Sequence, residues 1–237
     1  MYERYLKIFN NYVSNYNEQD KNIDYKIEHS YRVANLCVEI AKALELSIRD
    51  IEICYVCGLF HDIGRFEQLT KTKSFADSKD IDHGDIGAEV LKKNLIEYIT
   101  NDKEIQRILI DSTRYHNKLQ IGEVEENELI FCKIVRDADK IDTLSHWLVD
   151  IEGVYELNEK ILKSLYNKET SSEKVNNDMD MILRMICFIF DINFEYSYRY
   201  LKDYGIIKNK LELLKIHCND DTDKLINFID DFLESKI

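Results

Sequence analysis

The sequence contains no proline and only seven glycines in 237 residues. Sandwiches and barrels turn tightly and often, and tight turns draw on those two residues. Their scarcity favours long helices joined by short polar loops, so the expected fold class is all-α. Long uncharged apolar runs are missing too. The most apolar stretch, MILRMICFIFDINF, carries Arg184 and Asp191, which suits a buried helix and not a bilayer span. The opening MYERYLKIFN has no apolar stretch of signal-peptide type. A soluble protein without a membrane partner is expected.

Positive charge is in deficit, with 32 Lys and Arg against 45 Asp and Glu and a net charge of −13. That field repels a long polyanion, so no extended nucleic acid is expected as partner. A small phosphate ester can still bind where local cations override the surroundings, and a bound divalent metal is often the largest charge in its site.

Six cysteines are present: Cys37, Cys54, Cys57, Cys132, Cys187 and Cys218. Cys54 and Cys57 form a C-x-x-C inside the apolar run ICYVCGLF and have no second pair, so they read as core thiols rather than a zinc or redox site. Reduced thiols fit a cytoplasmic protein.

At this length the chain suits one large domain or a domain with a helical appendage. Apolar spacing predicts helices over 2–16, 23–44 (with Asp24 as N-cap), from Ser47 to a stop at Gly64, then 84–98, 103–116 and 127–150. Further helices are expected over roughly 154–167, 176–203, 208–217 and 222–235. The polar stretch EQLTKTKSFADSKDID between Gly64 and His83 reads as a long loop, and such loops are often functional. Gly58, Gly64, Gly84 and Gly87 cluster around it, marking a window where the chain turns sharply or meets a ligand. KETSSEKVNND is the best candidate for a flexible boundary.

The six histidines differ in context. His29 lies within a helical stretch, His61 is followed at once by Asp62 at the end of an apolar helix, His83 opens a helix and His116 closes one. His146 and His217 have no comparable setting. Adjacent residues on a helix point about 100° apart, so His61 and Asp62 serve one site only near a helix end or between two metals. KIVRDADKIDTL embeds Asp137, Asp139 and Asp142 among apolar residues. A buried carboxylate is costly unless paired or metal-bound.

The stretches HSYRVANL, LFHDIGRFEQL, DHGDIGAEVL and IVRDADKIDTL resemble, in order, the HD-domain superfamily of metal-dependent phosphohydrolases. The resemblance implies an HD core over about 23–152; with the N-terminal helix (1–17) and the C-terminal helical extension (about 153–237) the chain is expected to form one domain. It implies core metal ligands His29, His61, Asp62 and Asp139. His83 and His116 match the extra histidines of two-metal members, with Asp62 bridging. A mixed nitrogen and oxygen set accepts Mn, Fe, Ni, Co, Zn or Mg. The implied reaction is hydrolysis of a small, possibly nucleotide, phosphate ester (mono- or diester) by a metal-activated water. Arg65 occupies the place of the basic residue in HD-I-G-[KR] members and is the first candidate phosphate clamp; Lys118 is the second. Lys140 and Asp142 read as structural.

No G-Y-P follows the later histidines, which disfavours the HD-GYP cyclic-dinucleotide phosphodiesterases, and Gly64-Arg65 stands where the deoxynucleotide 5′-nucleotidases tend to carry an acidic residue. Two alternatives stay open: a mixed-valent di-iron oxygenase of HD type, and a non-catalytic module that senses a nucleotide. The C-terminal tyrosines read as packing residues. The sequence leaves open whether those helices cover the site or pair two subunits in a homodimer.

Overall fold

The computed structural model describes residues 2–16, 20–78, 80–146, 151–218 and 222–237. It is helical throughout, and the described residues contain no strand, only an isolated bridge between Tyr155 and Cys218. No helix among them is long and apolar enough to cross a membrane. The chain falls into two compact units, Met1–Asp139 and Lys140–Ile237.

In the first unit, α1 (Glu3–Val13) precedes α2 (Lys21–Ala43) and α3 (Ile48–Phe60). Helix α2 starts earlier than expected. Its cap is Asp20, whose carboxylate accepts from Asn22 N, and Asp24 sits in the first turn instead. Ser47 caps α3 as anticipated, accepting from Asp50 N. The two helices pack unusually close at Gly58, where a Cβ would come within 2.8 Å of Ala34 Cα and of Cys37 Sγ. The C-x-x-C thiols of α3 are both buried in this core, and none of the six cysteines forms a disulfide.

Helix α3 stops at Phe60, before the expected glycine, and Gly64 opens the next helix, α4 (Gly64–Thr72). Gly64 is not needed for a left-handed angle, since the glycines with positive φ are Gly153 and Gly205. Its role is close approach, because a Cβ there would run into His83 O and Gly87 N of α5 (His83–Val90). The glycine window is therefore a tight helix junction. The expected long loop is also shorter than its polarity suggested. Phe66, Gln68 and Leu69 are buried and carry α4 on to Thr72, where left-handed Lys73 ends it.

A π-helical turn over Leu91–Leu95 leads to α6 (Ile96–Ile99). Asp102 caps α7 (Lys103–Tyr115) through Glu104 N and Ile105 N. Helix α8 runs Leu129–His146; the remainder of its expected span, 147–150, lies outside the described residues.

The second unit contains α9 (Glu159–Tyr166), α10 (Asp178–Ile186), α11 (Glu195–Asp203), α12 (Ile206–His217) and α13 (Asp223–Glu234). Its core includes Ile161, Leu165, Leu183, Ile186, Leu201, Leu214 and Ile229. The single helix expected over 176–203 is broken. Cys187–Asp191 tighten into a 3-10 turn, and Ile192 and Phe194 are extended. Tyr198 OH donates to Ile189 O and Ile192 O, supplying carbonyls that the break deprives of helical partners. Tyr198 is buried, whereas Tyr204 is largely exposed.

Candidate metal centre

Two helix ends deliver histidines in the same way. His61 caps the C-terminus of α3 and His116 that of α7. The Nδ1 of His61 lies 2.7 Å from Gly58 O, and that of His116 lies 2.7 Å from Thr113 O. A carbonyl only accepts, so each Nδ1 carries the proton and each Nε2 presents a lone pair. Helix α5 supplies His83 from its first position, where Nδ1 stands 2.7 Å from Asp77 Oδ2. That partner is again an acceptor, so His83 Nε2 is bare as well. Asn117 Nδ2 stands farther from the same nitrogen, at 3.3 Å.

The bare nitrogens converge. His83 Nε2 and His116 Nε2 are 2.9 Å apart, and they lie 3.4 and 3.3 Å from Asp62 Oδ1. Asp62 Oδ1 is buried and has no hydrogen-bond partner. With the ring protons on Nδ1, three acceptors face one another, an arrangement that costs free energy unless a proton or a metal cation joins it. Atoms bound to one ion at about 2.1 Å stand roughly 3.0–3.4 Å apart, which is the spacing found.

A second group shares the same carboxylate. His29 Nε2 lies 3.2 Å from His61 Nε2, 3.2 Å from Asp139 Oδ1 and 3.5 Å from Asp62 Oδ2. His61 Nε2 is 3.7 Å from both Asp62 Oδ2 and Asp139 Oδ1. His29, His61 and Asp139 form one set able to hold a metal ion, and His61, Asp62 and His116 another. Such donors suit a divalent ion, and Asp62 turns Oδ2 toward His29 and His61 and Oδ1 toward His83 and His116. All four histidines and Asp62 are buried; Asp139 is about a quarter exposed at its side chain.

Charge in the pocket follows from burial and neighbours. Burial alone pushes the Asp62 carboxyl up, but Lys26, His61, His116 and Arg65 outweigh it and hold the group well below the usual carboxylate range. Asp139 behaves alike, with burial overcome by His29 and His61. Asp77 is also held low, its partial burial outweighed by His83 and Arg65. Burial drives His116 down to about 4, with Asp62 opposing.

All six residues singled out as metal ligands thus come together. Arg65 stands at the rim, its Nε 3.5 Å from Asp62 Oδ1 and without a hydrogen-bond partner, while one terminal nitrogen donates to Gln68 Oε1 and Phe75 O. Lys118 is not brought into the cluster. Its ammonium pairs with Asp82 and Asp85 at 2.7 and 2.8 Å. Lys26 takes a place that the sequence reading did not assign, 2.6 Å from Asp62 Oδ2. It lies three residues before His29 and so on the same face of α2, a spacing that marks it in retrospect. Asp77 was also missed, inside the polar loop. Lys140 pairs with Asp191, and Asp142 with His146. His217 Nδ1 faces Gly153 O.

Residues 27–144 match the HD domain family. No protein of curated function matches the chain. Among solved structures, a predicted HD superfamily hydrolase from an uncultured Thermotogales bacterium is similar at 19% identity, covering 86% of this chain and 94% of its own, with a TM-score of 0.44. The family match spans His29, His61, Asp62, His83, His116 and Asp139, and the chain belongs to the HD-domain superfamily.

Proposed function

We propose that the protein is a metal-dependent phosphohydrolase, a phosphomonoesterase or phosphodiesterase, acting on a small phosphate ester with two divalent ions held by His29, His61, Asp62, His83, His116 and Asp139. One observation carries the reading: Asp62 turns Oδ2 toward His29 and His61 and Oδ1 toward His83 and His116, and its Oδ1 is an orphaned acceptor. When bound, divalent ions supply Lewis acidity, acidifying a water and neutralising charge on phosphoryl oxygens.

The chain's own residues do the rest. Asp62 stands between the two groups, and the acceptors behind His61, His83 and His116 draw the ring proton to Nδ1 and turn each Nε2 lone pair toward the cluster. Arg65 and Lys26 flank Asp62 on its Oδ1 and Oδ2 sides, and both lie within 6 Å of the Phe75 ring centre. Each loses a partner once Asp62 is engaged elsewhere, and each then takes a phosphate oxygen, Arg65 through its unsatisfied Nε. The net charge of −13 supports a small ester over a long nucleic acid.

The test is elemental analysis of purified protein together with an aryl phosphate, a diester and a nucleotide panel. Two bound ions and metal-dependent hydrolysis are expected, and Asp62→Ala removes both. Inactivity of the metal-loaded protein on every substrate overturns the reading. Tightly bound iron with a mixed-valence EPR signal turns it to the oxygenase, and tight nucleotide binding without turnover to a sensing module.

A further inference from the structure

We infer that Asp77 is a positioning residue that fixes the His83 imidazole in its Nδ1–H tautomer, and through it the occupancy of the His83–His116–Asp62 group alone. The inference rests on the proposed reading that this group holds an ion.

The asymmetry between His83 and the two helix-end histidines carries it. His61 and His116 are oriented by backbone carbonyls of their own helices, three residues back, at Gly58 and Thr113. Those acceptors are present whenever α3 and α7 are formed. His83 stands at the start of its helix, where no earlier turn exists to offer a carbonyl. Its acceptor comes instead from a side chain six residues earlier, Asp77, in the segment that follows α4. That carboxylate is held from several sides. Its Oδ1 accepts from Gln68 Nε2 at 2.8 Å and from His83 N at 3.2 Å, and it lies 3.7 Å from an Arg65 terminal nitrogen. Its Oδ2 is thereby aimed at His83 Nδ1. Gln68 Nε2 also reaches Ala76 O, and Arg65 reaches Phe75 O, so α4 clamps the segment at three consecutive residues.

A carboxylate does more here than fill space. Carboxylates behind metal-binding histidines set ring orientation and raise ligand basicity. Replacing Asp77 by Asn keeps the shape and one acceptor, which can go on serving Gln68 and His83 N. The other atom becomes an NH2 that donates to Nδ1. His83 then carries its proton on Nε2, pointing at Asp62 Oδ1 and His116 Nε2, where an N–H cannot ligate. The Asn117 amide already lies 3.3 Å from Nδ1 and would reinforce the wrong tautomer.

The test compares wild type, Asp77→Asn and the conservative Asp77→Glu by metal titration, with ¹⁵N NMR of the imidazoles in metal-free protein. Asp77→Asn is expected to weaken the second ion by about ten- to a hundred-fold and to move the His83 proton from Nδ1 to Nε2. The first ion stays in place, and its retention shows that the variant is folded. Asp77→Glu is expected to keep the Nδ1 proton and both ions. A wild-type protein holding one ion overturns the two-ion reading and this inference together. Two ions bound with unchanged affinity by wild type and Asp77→Asn alike, or an unmoved His83 proton, overturn this inference alone. Equal loss in Asp77→Asn and Asp77→Glu overturns it too, since loop packing would then account for both.

Discussion

The Lys26 ammonium sits 2.6 Å from Asp62 Oδ2, the oxygen that also faces His29 and His61. In the metal-free chain it is the nearest cation to a carboxylate that lies almost wholly out of solvent. Removing one member of a buried pair strands the other, at a cost of about 3 kcal/mol or more.

Lys26→Met should therefore destabilise the protein by about that amount when metal is absent, and far less when metal is saturating, because ions at Asp62 take over the neutralisation. Urea unfolding with chelator and with excess Mn²⁺ measures both. Equal losses under the two conditions would show that Lys26 acts through packing and not through the Asp62 charge.

A methyl group at residue 64 should disturb one ligand group more than the other. The Gly64 backbone presses against His83 O and Gly87 N, so Gly64→Ala must push α5 aside. Overpacking of this kind costs about 1–3 kcal/mol, and the displaced helix begins with His83. Denaturation midpoints and ion counts should fall together, with the His29–His61–Asp139 ion retained. A variant of wild-type stability with two ions contradicts the contact.

Acid should weaken the metal-free fold in two stages. Burial lowers the folded His116 to about 4, with Asp62 opposing, against about 6.5 when unfolded. The unfolded chain binds the extra proton first, so this contribution is complete above about pH 6.5 and is lost as pH falls through about 4. It amounts to about 3 kcal/mol. Asp62 and Asp139 are depressed below the ordinary carboxylate range, so their share is lost only below about pH 4. Urea melts of chelated protein between about pH 7 and 4.5 should show the first stage, and His116→Gln should abolish it. A wild-type stability that stays flat across that interval would be incompatible with a neutral buried imidazole.

The thiols should be inert while the chain is folded. Burial pushes Cys57 and Cys187 up to about 12 and Cys132 to about 11, and raises Cys37 and Cys54 as well. Alkylation needs the thiolate and access to it. Iodoacetamide at about pH 8 should thus modify Cys218 alone, the one cysteine that is not buried, and all six after denaturation. Mass spectrometry counts the adducts; rapid native labelling of Cys54 or Cys57 would contradict their placement in the core.

The helical fold was legible in strong local signals, whereas the set His29, His61, Asp62, His83, His116 and Asp139 was legible through the resemblance of four motifs to the HD-domain superfamily. Apolar spacing set the helices, and four histidines stood at helix ends or in apolar settings. Other features depended on partners far along the chain. Nothing local to Gly64 says that it faces His83 rather than ending a helix. Apolar periodicity runs on through CFIF, so the break after Ile186 was hidden until Tyr198 was seen to take the carbonyls at Ile189 and Ile192. Lys118 stood as a candidate clamp and Lys26 did not, because a lysine in sequence carries no record of its counter-ion. Asp82 and Asp85 engage the one and Asp62 the other.

The two imidazoles that terminate α3 and α7 have a consequence of their own. Each ring acts as a hydrogen-bonding lid on the final turn that carries it, and the opposite edge of the same ring is the edge offered to the pocket. Fraying of either terminus by one turn would scramble the proton position on that ring and swing its inner edge away. Local melting and ligand release are therefore one event at these two points, and an occupied pocket would be read out along the chain as slowed amide exchange in the last turns of both helices.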